Sequence, residues 1–302
     1  MHEERVTGEP SLRLLRAGDE APRGPAREVL FVHGATFPAA LASGYRFGDG
    51  SSWMDAMAAA GLDVWALDFA GFGGSERYPE MTQTPAGSPP LGRAPVAAEQ
   101  VARAADHVCR SSGAQTLSIV AHSWGTLPAA RYAAATPARI DRLVLFGPIT
   151  PRELVTSLPS SPAFEDVTLE AQHQRFVEDV PEGHPPMLEE FERWSPAYLA
   201  SDADAPTRDP PAVRVPGGPQ ADIMACWAGY LAYDPAAIRA RVLIVRGEWD
   251  SLCTDLDAAW LTARLTGAPE VRDVVIDRGT HVMHLEASRH DLYHATAEFL
   301  TR

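Results

Sequence analysis

The segment TLSIVAHSWGT, residues 116–126, places a serine, Ser123, at the point where a short apolar run ends. Small residues stand two positions before it (Ala121) and two positions after it (Gly125), and an alanine-rich helical stretch follows. A strand, a sharp turn and a helix with serine at the apex form a nucleophile elbow, in which the backbone presents the hydroxyl above the sheet. The usual pattern is G-x-S-x-G, and this chain departs from it at Ala121. The segment predicts nucleophilic attack by Ser123 on an acyl carbon.

A serine hydroxyl barely ionises at neutral pH, so Ser123 requires a neighbouring base. His281 comes directly after the last predicted strand, in the segment RGTHVMHLE, and is the candidate base; His284, three residues later, is the alternative. Asp250 follows another predicted strand in the segment GEWD, and its carboxylate would orient the base and stabilise the imidazolium. Glu248 is the alternative acid and is expected to be a surface carboxylate. Ser123, Asp250 and His281 would together form a catalytic triad.

Acyl transfer also requires hydrogen-bond donors for the oxyanion that forms during attack. One donor is expected to be the backbone N–H of Trp124, the residue after the nucleophile. The other is expected from Ala35, in the loop that follows the apolar strand VLFV. Gly34 would let this loop approach the substrate, and His33 would order it through hydrogen bonds. His122 adjoins the serine but faces away from it along the strand, so it is a poor candidate for the base.

Strands and helices alternate along most of the chain, which predicts an α/β fold with a mostly parallel, doubly wound sheet and helices on both faces. The carboxyl ends of parallel strands meet at one edge of such a sheet, and the candidate residues all follow strand ends. Residues 1–10 are polar and are expected to be loose. The predicted strands include Glu28–Val32, Asp63–Asp68, Ile140–Phe146, Arg241–Gly247 and Val271–Ile276. The predicted helices include Trp53–Ala60, Val96–Cys109, Leu127–Ala135, Leu256–Leu265 and Asp291–Leu300.

Residues 151–240 interrupt the alternation with many prolines, broken amphipathic segments and clustered aromatic residues. We expect a helical cap here, inserted into a core domain made of residues 1–150 and 241–302. The insertion contains 15 Asp and Glu residues against 6 Arg, an excess that is expected to lie on a solvated outer face. The aromatic residues favour a moderately apolar substrate, and the negative charge argues against a polyanionic one.

Composition limits the partners of the chain. It has 302 residues and a net charge of −14, which argues against nucleic acid and anionic membranes, so a small-molecule substrate is expected. All 26 basic residues are arginine, which excludes a mechanism that needs a catalytic lysine. No His or Cys cluster has metal-ligand spacing, and the glycine-rich turn Gly71–Gly74 lacks the pattern of a phosphate-binding loop, so neither a metal nor another cofactor is expected.

The cysteines and the apolar segments bear on the compartment. Cys109, Cys226 and Cys253 are odd in number and widely spaced, which indicates reduced thiols in the interior. The first residues lack the basic start and apolar run of a secretory signal, and no apolar run is long enough to span a membrane. A cytoplasmic location is therefore expected. The oligomeric state is not predicted.

Over residues 11–302 the chain resembles the α/β-hydrolase superfamily. The matching segments are VLFVHGAT (29–36), DVWALDFAGFGGS (63–75), LSIVAHSWGT (117–126), LVLFGP (143–148), VLIVRGEWD (242–250) and RGTHVMHLE (278–286). The order serine, acid, histidine is that of this superfamily. The resemblance implies its fold, and it implies that the histidine of the last segment, His281, is the base. The elbow and the cap are similar to those of proline iminopeptidase-like and carboxylic-ester hydrolases, whereas epoxide hydrolases and haloalkane dehalogenases use an aspartate in place of Ser123.

These features predict a serine hydrolase that cleaves an ester, lactone or thioester of a moderately apolar small molecule through an acyl-enzyme on Ser123. The same triad would serve an acyltransferase or cyclase, in which the acyl acceptor is not water. It would also serve an amidase or aminopeptidase. A catalytically silent ligand-binding protein is the alternative outside the enzymes.

Overall fold

A computed structural model describes residues 1–18, 27–152, 160–184 and 190–302. These ranges contain ten strands: β1 (His2–Val6), β2 (Leu12–Arg16), β3 (Glu28–Val32), β4 (Asp63–Asp68), β5 (Leu117–His122), β6 (Ile140–Phe146), β7 (Phe164–Thr168), β8 (Ala212–Pro216), β9 (Arg241–Gly247) and β10 (Val271–Ile276). They also contain eight α-helices: α1 (Trp53–Ala59), α2 (Ala94–Ser112), α3 (Thr126–Ala135), α4 (Leu169–Val177), α5 (Phe191–Ala200), α6 (Gly218–Trp227), α7 (Asp255–Thr262) and α8 (Arg289–Thr301). None of these helices is both long enough and apolar enough to cross a membrane.

Eight strands form one sheet in the order β1-β2-β4-β3-β5-β6-β9-β10. The pairs from β4 to β10 are parallel, and only β1 with β2 and β2 with β4 are antiparallel. Strands β3, β4 and β5 are buried along their whole length, with a cluster of apolar side chains on each face of the sheet. A strand that is covered on both faces is apolar along most of its length, so it appears in the sequence as a continuous apolar run. This explains why these three strands could be predicted. The predicted mostly parallel, doubly wound sheet is confirmed.

The prediction that residues 1–10 are loose was wrong. His2–Val6 pairs with β2 in register from His2 opposite Arg16 to Val6 opposite Leu12. The strand lies at the edge of the sheet and most of its side chains remain exposed or half-buried. Such a strand is held by backbone pairing and needs no apolar run, so the sequence pattern did not reveal it.

Between β6 and β9, in the range predicted to form a helical cap, the chain forms α4, α5 and α6. Its function as a separate cap domain stays a prediction, and this segment is called the cap below. The cap also contains a two-stranded antiparallel ribbon, β7 with β8, which the sequence analysis did not predict. Two parts of the predicted insertion, residues 153–159 and 185–189, lie outside the described residues. Trp194 of α5 attaches the cap to the core: its indole N–H donates to the Leu41 carbonyl oxygen at 3.0 Å, and its ring packs edge-on against Phe37.

A buried carboxylate at the end of β4 connects the loops that lie above the sheet edge. Asp68 is fully buried, and its Oδ1 accepts the Ala39 amide at 2.9 Å. Its Oδ2 accepts the Arg13 Nε at 2.7 Å and the Gly74 amide at 3.0 Å. A buried charge is stable only when its oxygens are paired in this way. Asp68 therefore holds the loop after β3 and the glycine-rich turn after β4 to strand β2.

A second buried carboxylate closes the turn after β10. Glu286 is 1% exposed, and its Oε1 accepts the Thr280 hydroxyl at 2.6 Å. Burial raises the pKa of Glu286 to about 7, and the charges of Asp179 and Asp250 act in the same direction. The turn between Thr280 and Glu286 contains His281, so this contact fixes the segment that carries the candidate base.

We expect Asp68→Ala to lower the free energy of unfolding by about 3 kcal/mol or more, because it leaves the Arg13 guanidinium without its buried partner. Urea denaturation measures this loss. The control is Asp106→Ala, which removes an exposed carboxylate paired with Arg139 and is expected to cost about 1 kcal/mol or less. Equal losses in the two variants would contradict the assigned role of Asp68.

We expect the stability difference between the wild type and Glu286→Gln to depend on pH. Between the ordinary pKa of 4.5 and about 7, the unfolded chain releases the Glu286 proton while the folded chain retains it. The wild type should therefore lose about 2–4 kcal/mol relative to the glutamine variant as the pH rises through this window. Denaturation midpoints at several pH values test this, and a constant difference across the window would refute it.

Candidate active site

Ser123 occupies the apex of a sharp turn between β5 and α3. Its φ is 55°, in the left-handed region that residues other than glycine rarely adopt. The neighbouring glycine makes the turn possible, because a Cβ atom at Gly125 would collide with the carbonyl oxygen of His33. The Thr126 hydroxyl donates to the Ser123 carbonyl oxygen at 2.6 Å and fixes the start of the helix. The observed geometry is that of a nucleophile elbow.

The three predicted triad residues lie together in one hydrogen-bonded chain. The His281 Nε2 is 2.7 Å from the Ser123 Oγ. The His281 Nδ1 donates to Asp250, 2.9 Å from Oδ1 and 3.0 Å from Oδ2. Because a carboxylate only accepts, Nδ1 carries the proton and Nε2 is free to accept the serine hydroxyl. All three side chains are buried.

Asp250 is fixed by its own loop. Its Oδ1 also accepts the backbone amides of Leu252 and Cys253, each at 2.9 Å. These two donors hold the carboxylate in the orientation that receives His281. Glu248, the alternative acid, is exposed and accepts the Arg278 amide at 3.0 Å, so it stabilises a surface turn as expected.

Gly147, at the end of β6, lies against the histidine and the acid, and the sequence analysis gave it no role. A Cβ atom there would lie 2.8 Å from His281 Cε1 and 3.0 Å from Asp250 Oδ2, and its φ is 54°. Both the space and the backbone conformation therefore require glycine. A glycine directly after a predicted strand was the signal in the sequence.

His122 is not hydrogen-bonded to Ser123, but it has a structural role that the sequence analysis missed. Its Nε2 donates to the backbone carbonyl of His281 at 2.8 Å, which fixes the segment that bears the candidate base. Burial lowers the pKa of His122 well below its ordinary value, so the ring is neutral. With the proton on Nε2, the Nδ1 is an acceptor, and it lies 3.2 Å from the position of a Cβ atom at Gly34.

His284, the alternative base, lies in the interior. Its ring packs against those of Phe37 and His122, at centroid distances of 6.0 and 4.6 Å. Neither ring nitrogen has a hydrogen-bond partner in the described part of the chain. Burial lowers the pKa of His284 to about 3, so it stays neutral. It acts as a core residue.

The loop after β3 lies directly beside the candidate nucleophile, Ser123. A Cβ atom at Gly34 would be 3.3 Å from the Ser123 Cβ, so the backbone that continues to Ala35 passes close to the hydroxyl. His33 orders this loop as expected: its Nδ1 donates to the Gly34 carbonyl oxygen at 2.8 Å, and its Nε2 accepts the Phe69 amide at 3.2 Å. Burial lowers the pKa of His33, which is consistent with this neutral tautomer.

Trp124, which follows the candidate nucleophile, also connects the elbow to α6. Its indole N–H donates to Asp222 Oδ2, in α6, at 3.0 Å, and its ring is 1% exposed. The same Oδ2 accepts the Ala94 amide at 2.6 Å. Asp222 therefore joins the turn after β5 to the first residue of α2. That the backbone N–H groups of Ala35 and Trp124 bind an oxyanion stays a prediction.

A cavity of about 220 Å³ lies above the serine hydroxyl. The core contributes the loop at Gly34–Phe37, together with Ser123 and His281. Its apolar walls include Ile223 and Trp227 from the cap. Two polar cap residues, Arg175 and Gln220, also line it. No group of three His, Cys, Asp or Glu side chains within the described ranges is arranged to bind a metal ion.

Solved structures of other proteins share this fold, although their sequences have low identity to this chain. The thioesterase domain from the curacin biosynthetic pathway gives a TM-score of 0.63 at 20% identity, covering 100% of this chain and 99% of that chain. The 2-hydroxy-6-oxo-6-phenylhexa-2,4-dienoate hydrolase from Rhodococcus sp. strain RHA1 gives 0.63 at 20% identity, with 99% and 98% covered. An esterase from M. tuberculosis gives 0.60 at 19% identity, with 100% and 92% covered. At such identities the likeness shows the fold alone. No curated protein matches the sequence.

The sequence profile of a family described as alpha/beta hydrolase fold matches residues 29–288. This range begins within β3, just before the loop at Ala35, and ends at Ser288, after His281, so it includes every candidate residue. It spans well over half of the 302 residues, and the chain therefore belongs to the alpha/beta hydrolase fold family.

Proposed function

We propose that this hydrolase cleaves an ester, lactone or thioester of a small, moderately apolar molecule through an acyl-enzyme on Ser123. The observation that carries the proposal is the unbroken hydrogen-bond chain from the Ser123 hydroxyl through His281 to Asp250, with distances of 2.7 and 2.9 Å. Nucleophile, base and orienting acid at such distances are the arrangement that activates a serine.

The reaction follows from this arrangement. As Ser123 Oγ attacks the carbonyl carbon, its proton passes to His281 Nε2, and Asp250 stabilises the imidazolium that forms. The backbone N–H groups of Ala35 and Trp124 receive the oxyanion of the tetrahedral intermediate. His281 then gives its proton to the leaving alcohol or thiol, which leaves an acyl group on Ser123. A water molecule then attacks the acyl carbon while His281 takes its proton, and His281 returns this proton to Ser123 Oγ as the bond to the acyl group breaks and the acid leaves.

The walls of the cavity support a small acyl group as the part of the substrate that lies at Ser123. Phe37, Ile223, Trp227 and Leu252 give it an apolar lining, and its volume of about 220 Å³ is below the range of roughly 300–1,000 Å³ typical of small-molecule pockets. The thioesterase and the esterase among the structural neighbours act on acyl compounds according to their names, which agrees with this substrate class.

We expect Ser123→Ala to lower kcat for a responsive aryl ester by roughly four orders of magnitude or more, because nothing else in the proposed mechanism attacks the carbonyl. A fluorophosphonate should label the wild type at Ser123 and leave the variant unlabelled, as detected by peptide mass spectrometry. Ser112→Ala, at the end of α2, removes a hydroxyl away from the site and serves as the control. Full ester turnover by Ser123→Ala would exclude the acyl-enzyme.

We expect Asp250→Asn to lower kcat by roughly 10³–10⁴-fold, because the amide no longer holds the proton on His281 Nδ1. Glu248→Gln is the matched control, since it neutralises a nearby carboxylate that lies outside the hydrogen-bond chain. Its kcat should remain close to that of the wild type. Steady-state ester hydrolysis measures both values, and a larger loss in Glu248→Gln than in Asp250→Asn would reverse the assignment of the acid.

A further inference from the structure

The cap places a charged side chain beside the proposed nucleophile. Arg175, in α4, lines the cavity that contains Ser123 and His281. It contacts Glu178 through Nη1, whereas its Nη2 is buried without a hydrogen-bond partner among the described residues. A guanidinium stays charged in proteins, so a buried N–H group without an acceptor carries an unfavourable desolvation cost. An acceptor supplied by a ligand would remove this cost.

The charges around Arg175 leave the Nη2 of its guanidinium without an acceptor among the described residues. Burial lowers the pKa of Arg175, although the charges of Asp179 and Asp250 act in the opposite direction. Neither carboxylate has a hydrogen bond to Arg175 in the described structure, and Asp250 Oδ1 is occupied by His281, Leu252 and Cys253. Arg175 also contributes to lowering the pKa of His122, so its positive charge acts on the interior of the site.

A second residue that lines the same cavity also has an unpaired donor. The indole Nε1 of Trp227, in α6, is buried and has no hydrogen-bond partner in the described ranges. Gln220, from the first turn of the same helix, adds an amide to the lining. Arg175 is the one permanently charged cation among the described residues that line this cavity. Two unpaired donors, one of them cationic, match the oxygens of an anion.

We propose that Arg175 binds a carboxylate of the substrate, so that the enzyme acts on acyl compounds that carry a free carboxylate away from the scissile bond. This inference rests on the proposed function and names its substrate class. The planar guanidinium matches the geometry of a carboxylate. A carboxylate carries a single charge, which suits a small cavity under a cap with 15 acidic residues against 6 arginines better than a polyanion does.

The test compares pairs of esters that differ in one charge. The substrates are mono-(4-nitrophenyl) adipate and pimelate and their neutral methyl esters, with uncatalysed hydrolysis subtracted. The wild type should prefer the carboxylate ester in kcat/KM by about 10- to 100-fold, the range expected for a hydrogen-bonded charge pair. Arg175→Gln should abolish most of this preference, chiefly through KM of the carboxylate ester.

The matched control is Arg193→Gln, which removes an exposed arginine paired with Glu190 on the neighbouring cap helix α5. It should keep the preference of the wild type. If Arg175→Gln does not fold, Arg175→Lys replaces it: it keeps the charge but lacks the planar pair of N–H groups, so the preference should fall. A preference that is absent in the wild type, unchanged in the Arg175 variant, or lost equally in Arg193→Gln overturns the proposal.

A binding measurement separates this inference from the proposed function. In a Ser123→Ala background, calorimetry gives the Kd of the carboxylate ester with and without Arg175→Gln, independently of turnover. The variant should weaken binding by about 10-fold or more. If the wild type hydrolyses neither ester, the proposed function fails while this Kd still decides the role of Arg175. If Ser123-dependent hydrolysis occurs but Kd is unaffected, the carboxylate site alone is wrong.

Discussion

The left-handed backbone of Ser123 is the constraint on which the geometry of the site depends. A φ of 55° at a serine is strained, and such a conformation persists only where its surroundings enforce it. Gly125 allows the elbow to press against the carbonyl of His33, and Gly34 allows the opposing loop to approach the Ser123 Cβ. Both contacts exist because β3 and β5 are adjacent parallel strands. The elbow and the loop at Ala35 are thus positioned as one unit by the centre of the sheet.

Burial distinguishes the histidines that gather at this edge of the sheet. It lowers the pKa of His33 and His122, and it lowers that of His284 to about 3, so these three rings are neutral at ordinary pH. Both nitrogens of His33 and the Nε2 of His122 are hydrogen-bonded to backbone groups, and His284 packs on aromatic rings. Of the four, His281 alone joins a carboxylate to a serine hydroxyl. These two partners support His281 as the proposed base, whereas His122, although adjacent to Ser123 in the chain, has neither of them.

Much of this arrangement was predictable from the sequence because central parallel strands leave a local signal. Glu28–Val32 and Arg241–Gly247 are apolar runs that end at polar or glycine residues, and their observed bounds match the predicted ones. The candidate residues follow such strand ends, so topology alone brings them together. The ribbon of Phe164–Thr168 with Ala212–Pro216 gave no such signal, because its short, charge-bearing strands pair across a long separation in the chain. The glycine at position 147 was visible directly after a predicted strand, but its fit against His281 depends on a three-dimensional contact that the sequence could not predict.

The polar side chains of α4 differ from the buried carboxylates of the sheet in how their hydrogen bonds are satisfied. In the core, the Asp68 and Asp250 carboxylates have their hydrogen bonds supplied by the protein. On one face of α4 and just beyond it, Gln172, Arg175 and Asp179 each have a buried polar atom that no described residue pairs. Burying an unpaired amide, guanidinium or carboxylate costs more free energy than burying an unpaired indole or imidazole nitrogen. Most of the other unpaired buried atoms in the described residues are of the second kind. The hydrogen-bond chain of Ser123, His281 and Asp250 thus supports the proposed bond cleavage, whereas the unpaired polar atoms of α4 support the proposed class of substrate.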